Sequence, residues 1–220
     1  MRIRRIGSYA QVLGSAFVVM LLVRAFLVQS FSVPSGSMEP TLEPGDRILV
    51  SRLHRGPSVE RGDIVVFDGT RVWGAPAGSR ESSWLGQGVR SALTLVSLSS
   101  GADYVKRVIG VPGDRVSCCA DDGRLQVNGV PVDEPYVYPG NPPSTMTFDV
   151  LVPPGRIWVQ GDHRSASADS RANLGRPGGG MVPLDDVVGR VVWRYWPLDR
   201  LGTPASAPDL QGLPVPDALS

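Results

Sequence analysis

The sequence predicts a mainly β protein, with an N-terminal transmembrane helix followed by an antiparallel β-sheet domain. Three observations lead there. The one long apolar run sits at the N-terminus, directly behind a basic start. Gly 26 and Pro 20 among 220 residues make the chain turn-rich, which suits many short strands better than helices. From residue 44 onward, Gly-Asp and Gly-Arg turns are followed repeatedly by short apolar, β-branched runs. Hydrophobic residues at 42% argue against wholesale disorder, and a formal net charge of +1 lacks the basic excess of a nucleic-acid binder.

Arg2, Arg4 and Arg5 precede a mostly apolar segment from Ile6 to Val23, close to the roughly 20 residues a helix needs to cross a bilayer. Arg24 closes this run and Ala25 to Val28 resume it. Three arginines and the amino terminus on one side, against Arg24 on the other, place the N-terminus in the cytoplasm and the body outside. A charged start and apolar stretch also fit a cleaved signal peptide. No small-x-small site followed by a polar start lies near residues 24–33, so the reading adopted is an uncleaved anchor. Gln29 to Val33 alternate polar and apolar, as a half-buried strand does.

The strand cadence follows. Pro44-Gly45-Asp46 leads into Arg47 to Val50, Arg61-Gly62-Asp63 into Ile64 to Phe67, Pro112-Gly113-Asp114 into Arg115 to Ser117, and Pro154-Gly155 into Arg156 to Val159. Leu125 to Val132 reads as a hairpin around Asn128-Gly129, and Val187 to Trp196 as another strand. Residues 68–103 interrupt the pattern with a polar, glycine-rich loop over Gly69 to Ser83 and a near-helical apolar spacing over Trp84 to Leu98. Beyond Pro197 the Pro-, Ala-, Ser- and Gly-rich tail reads as a disordered terminus. The expected domains are 1–28 for the basic start and anchor, 29–200 for the β-rich domain, with a 68–103 insertion and a hairpin-rich 115–150 region, and 201–220 for the tail.

Chemistry-bearing residues gather in three places. In Pro34-Ser35-Gly36-Ser37-Met38-Glu39-Pro40-Thr41-Leu42, prolines limit the backbone around two serines and a glycine. Alone this is a proline-bounded surface turn; it is also the kind of constrained turn that presents a nucleophilic hydroxyl beside a fixed backbone amide. Lysine occurs once among 22 basic residues, at Lys106. Arginine stays protonated in proteins, whereas burial lowers a lysine pKa into the working range. Tyr104, Lys106 and Val108 share one face of a predicted strand, which would put the amine in apolar surroundings; the plainer reading is a solvated surface charge or chance survival of one lysine. Gly161 to Arg171 packs charges and hydroxyls into one loop, either held by Asp/Arg pairs or able to orient a base through a serine hydroxyl.

Cys118 and Cys119 are adjacent. A trans peptide sets neighbouring Cα atoms about 3.8 Å apart, shorter than the roughly 4.4–6.8 Å usual for a disulfide, so a vicinal bridge would be strained. Free thiols and a bridge to another chain stay open. With His54 and His163 the two histidines and no Cys/His ligand spacing, no metal site is expected.

The segments PSGSMEPTL, RGDIVVF, YVKRVIGVPGD and GDHRSASADSR, in this order, resemble the boxes of bacterial type I signal peptidases. The resemblance covers the anchor and runs from residue 31 to about residue 196. It implies an antiparallel β-sheet catalytic domain and a membrane-bound Ser/Lys endopeptidase that removes signal peptides after small residues in an Ala-x-Ala-like pattern. Ser37 matches the nucleophile and Lys106 the general base. Ser35, with the Ser37 backbone N–H, matches the oxyanion hole; Ser167 matches the serine that orients the lysine, and Asp169 and Arg171 the bracing ion pair. The substrate would lie as an added strand beside Phe31 to Ser35 and Asp103 to Val105. Phe31, Val33, Pro34, Met38, Leu42, Asp103, Tyr104 and Val105 are the substrate-binding candidates.

The implied partners are secretory preproteins and the lipid bilayer, with no nucleic acid, no metal and no cofactor. The implied location is the cytoplasmic membrane, single-pass, with the catalytic domain outside. His163 departs from the family, in which many members carry asparagine, and raises the question of a Ser–His pair; it lies outside the positions the family uses for chemistry. Two other readings are a Ser–Lys self-cleaving repressor, which would need a DNA-binding domain and no anchor, and a membrane-tethered β module that binds peptides. A penicillin-binding enzyme is disfavoured because no lysine stands three residues after Ser37.

Overall fold

The structure, a computed structural model, describes residues 27–53, 56–74, 103–205 and 207–213, together with Val12, Gly14 and Ser15. The expected anchor helix therefore falls almost wholly outside the described residues, and the expected helix over Trp84 to Leu98 entirely so. Among the described residues no helix is long and apolar enough to cross a membrane.

The strands follow the turn-then-apolar cadence of the sequence. They are β1 (Val28–Ser32), β2 (Arg47–Ser51), β3 (Ile64–Asp68), β4 (Asp103–Gly110), β5 (Arg115–Cys118), β6 (Leu125–Val127), β7 (Val130–Pro131), β8 (Phe148–Leu151), β9 (Arg156–Gln160), β10 (Val182–Pro183) and β11 (Val187–Trp196). They build a seven-stranded sheet in the order β1-β2-β11-β3-β4-β9-β10 and a four-stranded sheet in the order β7-β6-β5-β8. Every pairing is antiparallel.

Strand β3 explains its own sequence. Ile-Val-Val-Phe has no polar alternation because both faces of the strand are covered. Ile64 and Val66 pack with Phe31, Ile48, Val50 and Val191, while Val65 and Phe67 pack on the opposite side with Trp73, Val108 and Val159. Next to it, β4 is paired along Asp103 to Arg107 with β3, but meets β9 only through Arg107, Val108 and Gly110. One edge of its first half therefore has no partner strand among the described residues.

In the small sheet the Asn128-Gly129 turn joins β6 to β7 as the dipeptide predicts, with φ of 55° and 77°. Asn128 also accepts from the Arg115 N–H, at 2.8 Å, which pins the turn to β5. This sheet has a separate core of Val116, Leu125, Val127 and Phe148 around Trp158, which reaches in from β9. Cys118 and Cys119 are joined as a vicinal disulfide across a cis peptide, with Cα atoms 2.9 Å apart.

Two expectations need correction. The loop from Gly69 begins as a short helix, Gly69–Trp73, capped by Asp68, whose carboxylate accepts from the Thr70 and Arg71 N–H groups. Trp73 anchors it by packing edge-on against Phe67 and Tyr104. The tail beyond residue 200 is not uniformly disordered: Gly202 pairs with Arg194, and a short helix, Pro208–Gln211, buries Ala207 and Leu210 in the small-sheet core. Its composition hid this because the burial rests on one leucine and one alanine. Residues 206 and 214–220 lie outside the described residues.

Candidate active site

The turn after β1 is held from both ends. The Val33 N–H donates to the Asp46 carbonyl and the Gly45 N–H returns to the Val33 carbonyl, at 2.9 and 3.0 Å. Between them Gly36–Met38 forms one 3₁₀ turn, and the buried side chains of Met38 and Leu42 fix it to the core of the large sheet. Ser37 is carried on this turn and is 7% exposed. Its carbonyl accepts from the His163 N–H at 3.1 Å, which ties the turn to the loop after β9.

Lys106 reaches the same point from β4. Its Nζ lies 2.7 Å from Ser37 Oγ and 3.0 Å from the Val105 carbonyl, and 5.5 Å from the centre of the Tyr104 ring. The side chain is not the solvated surface charge that a lone strand lysine would ordinarily be; it is 3% exposed. Burial pushes its pKa down to about 8, against the opposing pull of the Asp169 and Asp162 carboxylates. A share of the amine is thus neutral near neutral pH.

The pair sits at a cavity of about 350 Å³ lined by Val33, Pro34, Ser35, Ser37, Met38, Asp103, Tyr104, Val105, Lys106, Ala166 and Ala168. Six of the eight substrate-binding candidates are therefore brought together. Phe31 and Leu42 are not among them: both are buried in the core beneath. The alternation along β1 turns Phe31 inward, away from the lane that the resemblance implied, and Leu42 anchors the turn. Asp103, opposite Asp68 in the β3–β4 register, has its carboxyl pushed up to about 6 by burial first and by Asp68 second.

Ser35 is exposed at the rim, its Oγ 3.3 Å from Ser37 Oγ. Asp169 and Arg171 form a two-pronged buried pair, with Nε–Oδ1 at 2.9 Å and Nη2–Oδ2 at 2.7 Å, and Asp169 also accepts from the Gly161 N–H. Ser167 lies close by, but its Oγ is buried without a hydrogen-bond partner among the described residues. The second bond of Lys106 goes to the Val105 carbonyl instead. Gly161 separates these parts: a Cβ there would stand 2.3 Å from Ser167 Oγ and 2.4 Å from the Ser37 carbonyl, so only glycine fits. His163 stacks on Tyr138, ring centres 4.1 Å apart, with Nδ1 3.7 Å from Glu39.

Sequence reasoning missed two features. The small side chains of Ala166 and Ala168 complete the cavity wall; the signal was the run of small residues after Arg164. Beneath the pair lies a second ion pair, Arg107–Asp162, in which both side chains are wholly buried. Among the described residues no group of His, Cys, Asp or Glu side chains is placed to hold a metal ion.

A hydroxyl held against a buried amine beside an apolar cleft is the layout of a serine hydrolase. Comparison with known proteins gives the particular kind. The model of the signal peptidase family, peptidase S26, matches residues 6–196. Signal peptidase I of Mycobacterium tuberculosis (strain H37Rv) is 38% identical over 224 residues, covering 90% of this chain and 74% of that protein. Signal peptidase I of Leptolyngbya laminosa is 34% identical over 192 residues, covering 86% and 79%. Signal peptidase IB of Staphylococcus aureus (strain N315) is 32% identical over 202 residues, covering 84% and 86%. A solved signal peptidase I from Enterococcus faecalis V583 aligns with a TM-score of 0.38 at 25% identity, over 60% of this chain and 95% of that one, a likeness too slight to bear on the fold. The chain belongs to the signal peptidase family, peptidase S26, and is a serine peptidase.

Proposed function

We propose that this peptidase removes signal peptides from secretory preproteins through a Ser37–Lys106 dyad and an acyl-enzyme, while anchored by its N-terminal segment with the catalytic domain outside the cytoplasmic membrane. The observation that carries the dyad is the 2.7 Å approach of Lys106 Nζ to Ser37 Oγ, with both side chains buried at the floor of the cavity. Family membership supports the substrate class. The anchor rests on the apolar segment behind the basic start.

The chemistry is acyl transfer. Neutral Lys106 takes the Ser37 hydroxyl proton as Oγ bonds to the scissile carbonyl carbon. The oxyanion so formed is held by the Ser37 N–H and the Ser35 hydroxyl, and one such donor is worth about 3–4 kcal/mol. Collapse expels the amine of the mature protein, which takes the proton from Lys106. Water then gives a proton to Lys106 and attacks the acyl carbon, and Ser37 Oγ leaves with that proton restored. Desolvation is what makes a lysine serviceable here: an exposed ammonium would hold its proton too tightly.

The cavity supports cleavage after small residues. Val33, Met38, Tyr104 and Val105 share its lining with the small side chains of Ala166 and Ala168. The edge of β4 along its first half, which has no partner strand among the described residues, offers a backbone ladder to an extended substrate. The test is cleavage of a preprotein carrying an Ala-x-Ala signal peptide. Ser37→Ala and Lys106→Arg are expected to be inactive and His163→Asn active, since the His163 contact to Ser37 is made by its backbone. Full activity in Lys106→Arg would sink the dyad.

A further inference from the structure

We infer that Thr41 is a positioning residue that sets the nucleophile against its base, by joining the Ser37 turn to the ion pair beside Lys106. The inference rests on the dyad reading and adds a residue to it. Thr41 stands four positions after Ser37 on the same turn and is buried. Its hydroxyl donates to Asp162 Oδ2 at 2.6 Å. The same carboxylate takes two bonds from Arg107, Nε–Oδ1 at 2.9 Å and Nη2–Oδ2 at 2.7 Å. Arg107 is the neighbour of Lys106 on β4, and its Nη1 is fixed in turn by the Gly62 and Ala205 carbonyls.

Thus one buried carboxylate receives a donor from the segment that bears the nucleophile and two from the strand that bears the base. His163, the next residue, closes the arrangement with its backbone bond to the Ser37 carbonyl. Near-attack geometry tolerates little play, so a link of this kind bears directly on turnover.

The link also has an electrostatic side. Lys106 is faced by Asp162 and Asp169, which favour its charged form, with Tyr104 and Asp103 beside it on the cavity wall. A hydrogen bond from Thr41 spreads the charge of Asp162 and weakens its hold on the lysine proton. Thr41→Val keeps the shape, removes that donor and leaves Asp162 more strongly charged toward Lys106. A hydroxyl that mattered only for packing would leave the base untouched.

The experiment compares the full chain and its Thr41 variants in detergent micelles, cleaving a preprotein with an Ala-x-Ala signal peptide across pH 5–10. Thr41→Val is expected to lower kcat about tenfold with KM nearly unchanged. Its acid limb should move upward by about half a pH unit, and Thr41→Ser should restore both. Thr41→Val with the wild-type kcat and limb overturns the inference, and so does a loss of kcat with an unmoved limb that serine does not repair. If Thr41→Val does not fold, Thr41→Cys, a weak donor of similar size, is read instead: an intermediate loss supports the link and wild-type behaviour refutes it. Ser37→Ala and Lys106→Arg run alongside. Activity in those variants would remove the dyad itself, whereas their inactivity beside a normal Thr41→Val removes only the role of Thr41.

Discussion

Two arginine–aspartate pairs, Arg61–Asp114 and Arg107–Asp162, are built almost alike. In each the carboxylate is fully buried and gripped by Nε and Nη2, and the guanidinium also donates to a carbonyl of the C-terminal segment, Leu213 for Arg61 and Ala205 for Arg107. They differ in the further donors that each carboxylate holds, which for Asp114 include the Val111 N–H at 2.8 Å. Asp114 takes the Asn128 amide at 2.9 Å and so braces the hairpin of the small sheet. Asp162 takes Thr41 and so braces the turn that carries Ser37. A buried ion pair is weak evidence for net stability, since desolvation offsets the attraction. What it does well is fix geometry, and here the same device holds a hairpin in one place and, under the proposed dyad, the reacting groups in the other.

Removing one arginine at a time separates the two roles. Arg61→Met and Arg107→Met each leave a buried carboxylate uncompensated, and each is expected to cost about 3–5 kcal/mol of stability. Activity per folded molecule should divide them. Arg107→Met frees Asp162 to hold the Lys106 proton and should lose at least about tenfold in kcat near pH 8. Arg61→Met should stay within about threefold of wild type, because among the described residues Asp114 meets the segment that bears Lys106 only through the Val111 N–H, beyond the end of β4. Chemical denaturation with kinetics on the folded fraction reads both numbers, and equal activity losses would erase the distinction. A smaller effect follows from the shared C-terminal segment. Leu210→Ala removes its fully buried anchor and should cost about 2–5 kcal/mol, lowering the thermal midpoint by about 5–15 °C. A change of under a degree or two would mean that the segment does not seal the core.

The comparison also explains what the sequence could and could not convey. The strands were legible because Gly-containing turns and β-branched runs are local signals, and the Asn128-Gly129 hairpin is specified by two residues. Lys106 stood out as the one lysine in a chain that otherwise uses arginine, whereas the proline-bounded turn offered two serines and only the resemblance singled out Ser37. Arg107 had no such contrast among so many arginines, and Asp162 lay in a loop already crowded with charge. Thr41 and Asp162 meet across 121 positions, a contact that no local pattern announces. Ser167 illustrates the converse: it was placed on the lysine by resemblance, yet its hydroxyl lies buried without a partner among the described residues. The tail was misread because composition averages away a single decisive leucine.

The central claim is that a buried, partly neutral lysine is the base for Ser37. The direct measurement is the pH dependence of kcat/KM for preprotein cleavage by the wild type. Lys106 must be neutral to accept the proton, and burial sets its pKa at about 8. Below that value the amine is protonated, so the rate should fall about tenfold for each pH unit and should level off above it. His163→Asn should leave this limb in place. A limb centred near 6.5 that disappears in His163→Asn would contradict the account and move the base from lysine to histidine.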